Sequence, residues 1–432
     1  MPRPPTSRAT PWLVWACGLA VYVLAVAHRS SFGVAGLAAA DRFGAQATVL
    51  SLFVVVQLAT YAAMQVPMGV ALDRFGARRL LTFGALTMAL GQAGMAVAPG
   101  VGAAIALRVL VGSGDAAVFI SAVRLVWGWF DRRRVPLLTQ VTGLVGQLGQ
   151  VVSAIPFAAA LHRFGWTPAF AALAALGLAT AGLAAFGVRP GPHDEPPLRR
   201  GLAGLGATLT SPGTWLGFFA HLLGGVSPNV FVLMWGVPFL VRGQGRTPAE
   251  AGALLTVSVA VSLVAGPAIG EFTARHPLRR TWGALAVAVA TGAGWAMVLL
   301  PATPRPLWAL AVFVVLISIG GPASLVGLDL AASFNPPARR GAAQGVANMG
   351  AFASAVVVML AVGVVLDARA PGGAPTLADY RLALSVVLVP LAVGVVGVLV
   401  TRPRARAAAG LSVPTLAEVF DRYRGTGGPG PR

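Results

Sequence analysis

Polar positions in this chain are gathered into short clusters, and the stretches between them are long and almost unbroken in their apolar character. A helix that crosses a bilayer needs about 20 predominantly apolar residues. Twelve stretches meet that length, near residues 11–37, 48–71, 80–98, 103–127, 137–160, 167–188, 213–241, 250–272, 281–300, 307–330, 341–366 and 380–401. The pattern predicts an all-α polytopic membrane protein. Gly and Pro recur inside the stretches, which spanning helices tolerate because neighbouring helices satisfy the freed backbone groups. The first stretch exceeds a signal-peptide core of about 7–15 residues and carries His28 and Arg29, so it reads as a span that is retained.

The clusters between the stretches fix an orientation. With the N-terminus inside, inner segments hold 22 of the 32 arginines, outer segments hold 7, and Arg29, Arg108 and Arg124 lie within spans. Excess positive charge on one side marks the cytoplasmic face. Multi-pass insertion in the plasma membrane with both termini cytoplasmic is therefore expected.

The inner turns also carry a repeat. Gly69 to Arg79 reads G-V-A-L-D-R-F-G-A-R-R, and Gly270 to Arg280 reads G-E-F-T-A-R-H-P-L-R-R. Gly69, Arg74, Arg78 and Arg79 fall on Gly270, Arg275, Arg279 and Arg280 at an offset of 201. Trp12 and Leu13 match Trp215 and Leu216 at 203, while Phe130 and Gln140 match Phe334 and Gln344 at 204. A slowly drifting offset near half the chain length predicts two pseudo-symmetric six-helix halves. The expected organisation is a cytoplasmic N-terminus (1–10), a first half (11–188), a Pro/Gly-rich cytoplasmic linker (189–212), a second half (213–401) and a basic tail (402–432). Within the tail, 411–424 reads as a short amphipathic helix and the last residues as disordered.

Composition narrows the function. The chain is 56% hydrophobic and 10% charged, with a mean hydropathy of +0.78, whereas soluble domains carry about 25% charged residues. Its net charge of +19 follows from the inner-turn arginines and does not call for nucleic acid. Cys17 is the single cysteine, which leaves no internal disulfide and no metal-ligand spacing. There is no intramembrane His/Asp cluster, no Ser/His dyad at useful spacing and no Walker-type phosphate loop. An enzyme, an ATP-driven pump and a metal or organic cofactor are accordingly not expected.

The first turn of the repeat resembles the signature of the major facilitator superfamily of secondary transporters, G-x-x-x-D-R-x-G-R-R. It is met here by Gly69, Asp73, Arg74, Gly76, Arg78 and Arg79, with Ala77 at a place that is often basic. A weaker element, R-x-x-x-G-x-G, is met by Arg108, Gly112 and Gly114. The antiporter-associated G-P-x-x-G-G of the fifth span is absent; Gly143, Gly146, Gly149 and a displaced Pro156 stand there instead. The resemblance covers essentially the whole chain. It implies alternating access by two rocking halves, with spans 1, 4, 7 and 10 around a central cavity. It also implies that the turn motif latches the cytoplasmic side. Asp73 is suited to the positive N-terminal end of a neighbouring helix. Arg74 and Arg78 are suited to a carboxylate, for which Asp131 is the candidate. Ala274 replaces that acid in the second copy, so a weaker latch is expected there.

Charges inside spans are rare and usually functional. Arg29 lies in span 1; Arg108, Asp115 and Arg124 lie in span 4; Glu271 and Asp329 lie near the inner ends of spans 8 and 10. Arg108 and Asp115 are seven apart and share a face, and Arg29 shares a stripe with Tyr22. A carboxyl in a low-dielectric cavity can exchange a proton. Arg29 can bind a substrate anion or neutralise Asp115, and those roles overlap. His28 and His221 read as packed histidines. Gln57, Tyr61 and Gln65, Gln140, Gln147 and Gln150, and Gln344 and Asn348 each form a stripe suited to interhelical hydrogen bonds, with Gln147 and Gln150 best placed for substrate. Ser227-Pro228-Asn229 is expected to kink span 7 and leave Asn229 near a ligand.

These features favour a monomeric transporter of a small-molecule substrate, with proton-coupled uptake of an organic anion as the leading version. Efflux of a drug or metabolite is the alternative within transport. A non-transporting membrane sensor is the alternative of another class, disfavoured by a tail of only about 30 residues after the last span.

Overall fold

A computed structural model of the 432-residue chain describes residues 10–44, 47–194, 203–371 and 374–411. Among the described residues there is no β-strand. The helices are α1 (Thr10–Val34), α2 (Gly36–Phe43), α3 (Ala47–Val97), α4 (Val101–Trp129), α5 (Val135–Phe164), α6 (Trp166–Gly187), α7 (Ala203–Leu209), α8 (Pro212–Gly243), α9 (Pro248–Arg275), α10 (Pro277–Leu299), α11 (Leu307–Ser333), α12 (Pro337–Arg369) and α13 (Leu377–Ala408). Eleven of these are long and apolar enough to cross a membrane. The tail helix expected over 411–424 falls, Leu411 aside, outside the described residues.

One of the eleven is two crossings. At 51 residues, α3 would be about 77 Å long at 1.5 Å per residue, more than twice the ~30 Å hydrocarbon core. It is broken at Gly76, where φ is 77° and ψ 164°. That left-handed extended conformation is open to glycine and strained for any residue with a Cβ. The polar turn expected over several residues is thus compressed to one glycine, and the chain is an all-α polytopic membrane protein.

The helices pack in two groups. α1 to α6 contact one another, as do α8 to α13, and the groups meet chiefly where α3 lies on α12 and α5 on α9 and α11. Close approach inside the first group depends on the small residues of α4. A Cβ on Gly114 would stand 2.7 Å from the Gly84 carbonyl oxygen, and one on Gly112 the same distance from that of Gln57. Removing side chains at such points lets spanning helices touch backbone to backbone. The second group is organised around Phe313, whose ring meets those of Trp295 (5.0 Å), Phe231 (5.2 Å) and Phe239 (6.5 Å) edge-on.

The bend expected at Ser227-Pro228-Asn229 is displaced. Pro228 sits within regular helix, and two wider π turns follow at Phe231–Trp235 and Phe239–Gly243. A proline removes one backbone donor and crowds the preceding turn, and α8 absorbs the mismatch just beyond it. A similar π turn, Ser153–Phe157, surrounds Pro156 in α5.

Gly114→Val is expected to destabilise the protein by about 1–3 kcal/mol through overpacking against α3. Gly102→Ala, where an added Cβ meets nothing within 4 Å, is expected to be neutral. Thermal unfolding of the purified variants checks this; equal melting temperatures would refute the backbone-contact explanation.

Candidate functional site

Four Arg-bearing turns lie at one end of the bundle: Arg74 to Arg79, Arg132 to Arg134, Arg275 to Arg280, and Arg339 with Arg340. The two helix groups are sealed together at this Arg-rich end. Asp73, only 7% exposed, accepts hydrogen bonds from the Gly341 N–H (2.8 Å) and the Ala342 N–H (2.7 Å). These are among the first free donors of α12, so the carboxylate caps a helix of the other group at its positive end. Gly69 allows the approach, because a Cβ there would press on Gly341 and stand 3.0 Å from the Ala342 Cα.

The cation that completes this latch is Arg124. It reaches Asp73 at 3.8 Å and Asp194 at 3.3 Å, and donates to the Pro337 carbonyl at 3.0 Å. Asp194 belongs to the linker after α6 and is fixed by the Gly191 N–H at 2.7 Å, while the His193 N–H donates to the Gly128 carbonyl. The expected pairing of Arg74 or Arg78 with Asp131 is therefore corrected. Asp131 lies past the end of α4, exposed, and forms no ion pair among the described residues. Arg74 lies over Phe75 at 5.0 Å, Arg78 donates to the Ala185 carbonyl at 2.6 Å, and Arg79 is exposed. Exposed arginines gain little from an ion pair that water already replaces, whereas Arg124 lies within the seam, its side chain only 12% exposed.

A polar ladder continues the seam. The Asn348 amide donates to the Tyr61 hydroxyl (3.0 Å) and to Gln65 Oε1 (2.8 Å). The Gln140 amide donates to the Pro322 carbonyl at 2.8 Å, and the Tyr61 and Phe352 rings meet edge-on at 4.7 Å. Of the stripes seen in the sequence, Gln57, Tyr61, Gln65, Gln140 and Asn348 thus make interhelical hydrogen bonds, and the last four join the two groups. Gln344, also buried, has no side-chain hydrogen bond. Among the described residues, every hydrogen bond or ring contact joining the groups lies between the Arg-rich end and the level of Tyr61 and Phe352.

Immediately beyond that level is the densest intramembrane charge cluster. Asp115 on α4 is 1% exposed. Arg29 on α1 clamps it with both arms, Nε to Oδ2 at 2.7 Å and Nη2 to Oδ1 at 2.9 Å. Such bidentate pairs are the strongest of the side-chain ion pairs. The Arg29 guanidinium also lies 5.0 Å from the centre of the Tyr61 ring, and 28% of its side chain is accessible. Arg108 is fully buried. It donates to the Arg29 carbonyl at 3.0 Å and to Gln57 Oε1, and stacks over Phe32 at 5.3 Å. Tyr22 packs on Phe119 at 5.0 Å.

Other candidates fall around this cluster. Gln147 and Gln150 are exposed on α5 and hydrogen-bonded to one another. They stand near the Ser30–Ser153 hydroxyl pair (2.7 Å), which joins α5 to α1 beside Arg29. Asn229 is half-buried on α8, with no hydrogen bond to the cluster among the described residues. His221 is buried with Nδ1 2.8 Å from the Ser324 carbonyl. His28 is buried between α1 and α6.

Loss of Asp73 removes two charge-assisted hydrogen bonds from the seam. With Cys17→Ser and Gln65→Cys as background, Asp73→Ala is expected to speed maleimide labelling of residue 65 from the Arg-rich side by roughly tenfold or more. An unchanged labelling rate would remove the latch role.

A model of the family described as Major Facilitator Superfamily matches residues 18–245, more than half of the chain. A "Probable L-galactonate transporter" of Escherichia coli (strain K12) is 27% identical over 150 residues, covering 35% of this chain and 33% of the relative. An "Uncharacterized MFS-type transporter YcxA" of Bacillus subtilis (strain 168) is 27% identical over 194 residues, covering 44% of this chain and 47% of the relative. The chain thus spans less than half the length of these curated relatives. With the family model spanning the first group of helices, the linker and α8, and the signature turn at the seam, the chain belongs to the Major Facilitator Superfamily.

Proposed function

We propose that the protein is a secondary transporter that takes up a small organic anion together with a proton, by alternating closure of the two ends of its helix bundle. The observation that carries this reading is the bidentate Arg29–Asp115 pair lying just beyond the closed seam.

Charge balance supplies the mechanism. Carrying an uncompensated charge through a closed, dry state is strongly unfavourable. In the empty site Arg29 and Asp115 neutralise one another. A proton on Asp115 removes its charge and releases the guanidinium. A substrate carboxylate then takes the place of Asp115, and the Arg29 charge is paired again, with Arg108 unchanged throughout. Empty and doubly loaded sites can therefore close, whereas a site holding the proton or the anion alone resists closure. That difference is symport. Arg108, hydrogen-bonded among the described residues only to the neutral oxygens of Arg29 and Gln57, adds a constant positive potential that favours an anion. The cargo named for the Escherichia coli relative, L-galactonate, is a sugar-acid anion and is compatible with this chemistry.

The proposed location rests on the placement of charge. The 22-to-7 division of loop arginines supports placing the Arg-rich end and both termini in the cytoplasm of a plasma-membrane protein. The site then lies on the outer side of a shut cytoplasmic seam, one of the states that alternating access passes through.

Proteoliposomes holding the full chain, tested with labelled L-galactonate and a panel of small carboxylates, check the proposal. Asp115→Asn is expected to abolish accumulation driven by a pH gradient while retaining saturable exchange of the same anion. Full uphill, pH-driven accumulation by Asp115→Asn would overturn the coupling role. Absence of saturable transport of any anion by the unaltered protein would overturn the cargo class.

A further inference from the structure

The second group of helices has its own basic cluster at the Arg-rich end, and it is built differently from the first. A cavity of about 200 Å³ opens between α8, α10, α11 and α13, lined by Arg280, Arg402 and Arg406 together with Thr281 and Ser333. That volume is several times the ~30 Å³ share of one water. Arg280 is held in place from both sides, its Nε donating to the Pro277 carbonyl (2.9 Å) and its Nη1 to the Ser333 hydroxyl (3.1 Å). Arg402 rests on the Trp282 ring at 4.6 Å. Arg402 and Arg406 stand one helical turn apart on α13 and repel one another. The Nε atoms of both are buried without a hydrogen-bond partner.

Among the described residues, the charge balance of this cavity is incomplete. In the first group, Asp73 and Asp194 compensate Arg124. At the repeat offset Asp73 is replaced by Ala274, and Glu271 is engaged with Arg275 at 2.6 Å on the exposed surface. Asp329, buried one turn before Ser333 on α11, offsets Arg280. Among the described residues two guanidiniums with unused, water-shielded donors remain beside the Thr281 hydroxyl, while the Ser333 hydroxyl, which donates to the Asp329 carbonyl, positions Arg280. Clustered guanidiniums and hydroxyl donors are the chemistry that recognises tetrahedral oxyanions, and basic pockets between spanning helices hold anionic headgroups.

We infer that Arg280, Arg402 and Arg406 form an anion site for a phosphate group, separate from the Arg29–Asp115 centre, which supplies the negative charge that the second repeat lacks at Ala274. The group comes either from free phosphate or from the headgroup of an anionic phospholipid. Arg404 on the same helix faces a different, largely apolar groove beside Trp215 and takes no part.

The test uses the full chain with two probes. In detergent, inorganic phosphate is titrated against chloride at matched ionic strength, and the melting temperature is followed. In phosphatidylcholine nanodiscs with or without phosphatidylglycerol, retained phosphatidylglycerol is quantified. A saturable rise with phosphate that is weakened about tenfold or more in Arg406→Gln, and unchanged in Arg404→Gln, supports the site with a soluble oxyanion. No response to phosphate, but stoichiometric retention of phosphatidylglycerol that is lost in Arg406→Gln and kept in Arg404→Gln, supports the site with a headgroup. Should Arg406→Gln fail to fold, Ser333→Ala is expected to weaken the same signal severalfold. Failure of both probes, or binding indifferent to Arg406→Gln (or, in its place, to Ser333→Ala), overturns the inference.

Discussion

Asp115 sets the terms for the rest of the structure. A carboxylate held at 1% exposure in the middle of a bilayer must be either neutralised or protonated, and the chain supplies Arg29 from the neighbouring helix. The guanidinium that does this also lies against Tyr61. The Tyr61 hydroxyl is in turn one end of the Asn348 hydrogen bonds that join the two groups of helices. The charge centre and the seam therefore share a residue. Displacement of Arg29 from Asp115 alters the packing of a ring that helps hold the bundle shut, without any longer route between the two.

The closure at the Arg-rich end is strongly one-sided. Its carboxylates, Asp73 and Asp194, both come from the first group of helices and the linker, and its capped helix end comes from the second. The repeat is therefore a repeat of fold and not of function. Gly270 keeps the close approach of Gly69, with a Cβ there standing 2.8 Å from the Leu137 Cα. The acid has gone, and with it the means to cap α5 as Asp73 caps α12. The apolar core of the first group continues through Leu328, Ala331, Ala343 and Ala347 into the second, which keeps the seam dry and its few polar contacts strong.

Most of this was legible in the sequence where a single helix carries the information. Spans, their number and the sites of buried charge follow from apolar length and from the rarity of intramembrane ions. Gly76 was visible as part of a motif, although its role as a one-residue break between two crossings is a matter of backbone geometry. The stripe of Gln57, Tyr61 and Gln65, and Asn348 in its own stripe, lie on faces that make interhelical hydrogen bonds, because periodicity reports a face, whereas Gln344 makes none among the described residues. It does not report the partner, so nothing marked Tyr61 and Gln65 as facing Asn348. The same limit explains Asp131. It lies close in sequence to the basic turns, whereas Arg124 reaches Asp73 only through the crossing of α4 under α3. Asp194 was hidden in a Pro-rich linker with no periodicity to orient it. Pro228 marked a bend, but the register at which a helix absorbs a proline depends on its neighbours.

The energetics favour a seam that is firm yet reversible. Two charge-assisted hydrogen bonds to Asp73 contribute about 1.5–3 kcal/mol each, and neutral ones such as Asn348 to Tyr61 about 1 kcal/mol. Breaking them unaided would leave the Arg-rich end shut almost permanently, since each 1.4 kcal/mol is a factor of ten in population. Opening must therefore be offset by contacts formed elsewhere. Away from the Arg-rich end, α5 and α9 carry exposed apolar side chains, including Val151, Ile155, Val259 and Leu263, which are available for such contacts. What tips such an exchange is a small term, and an ion pair such as Arg29–Asp115, if made and unmade as proposed, is of the right magnitude to supply it.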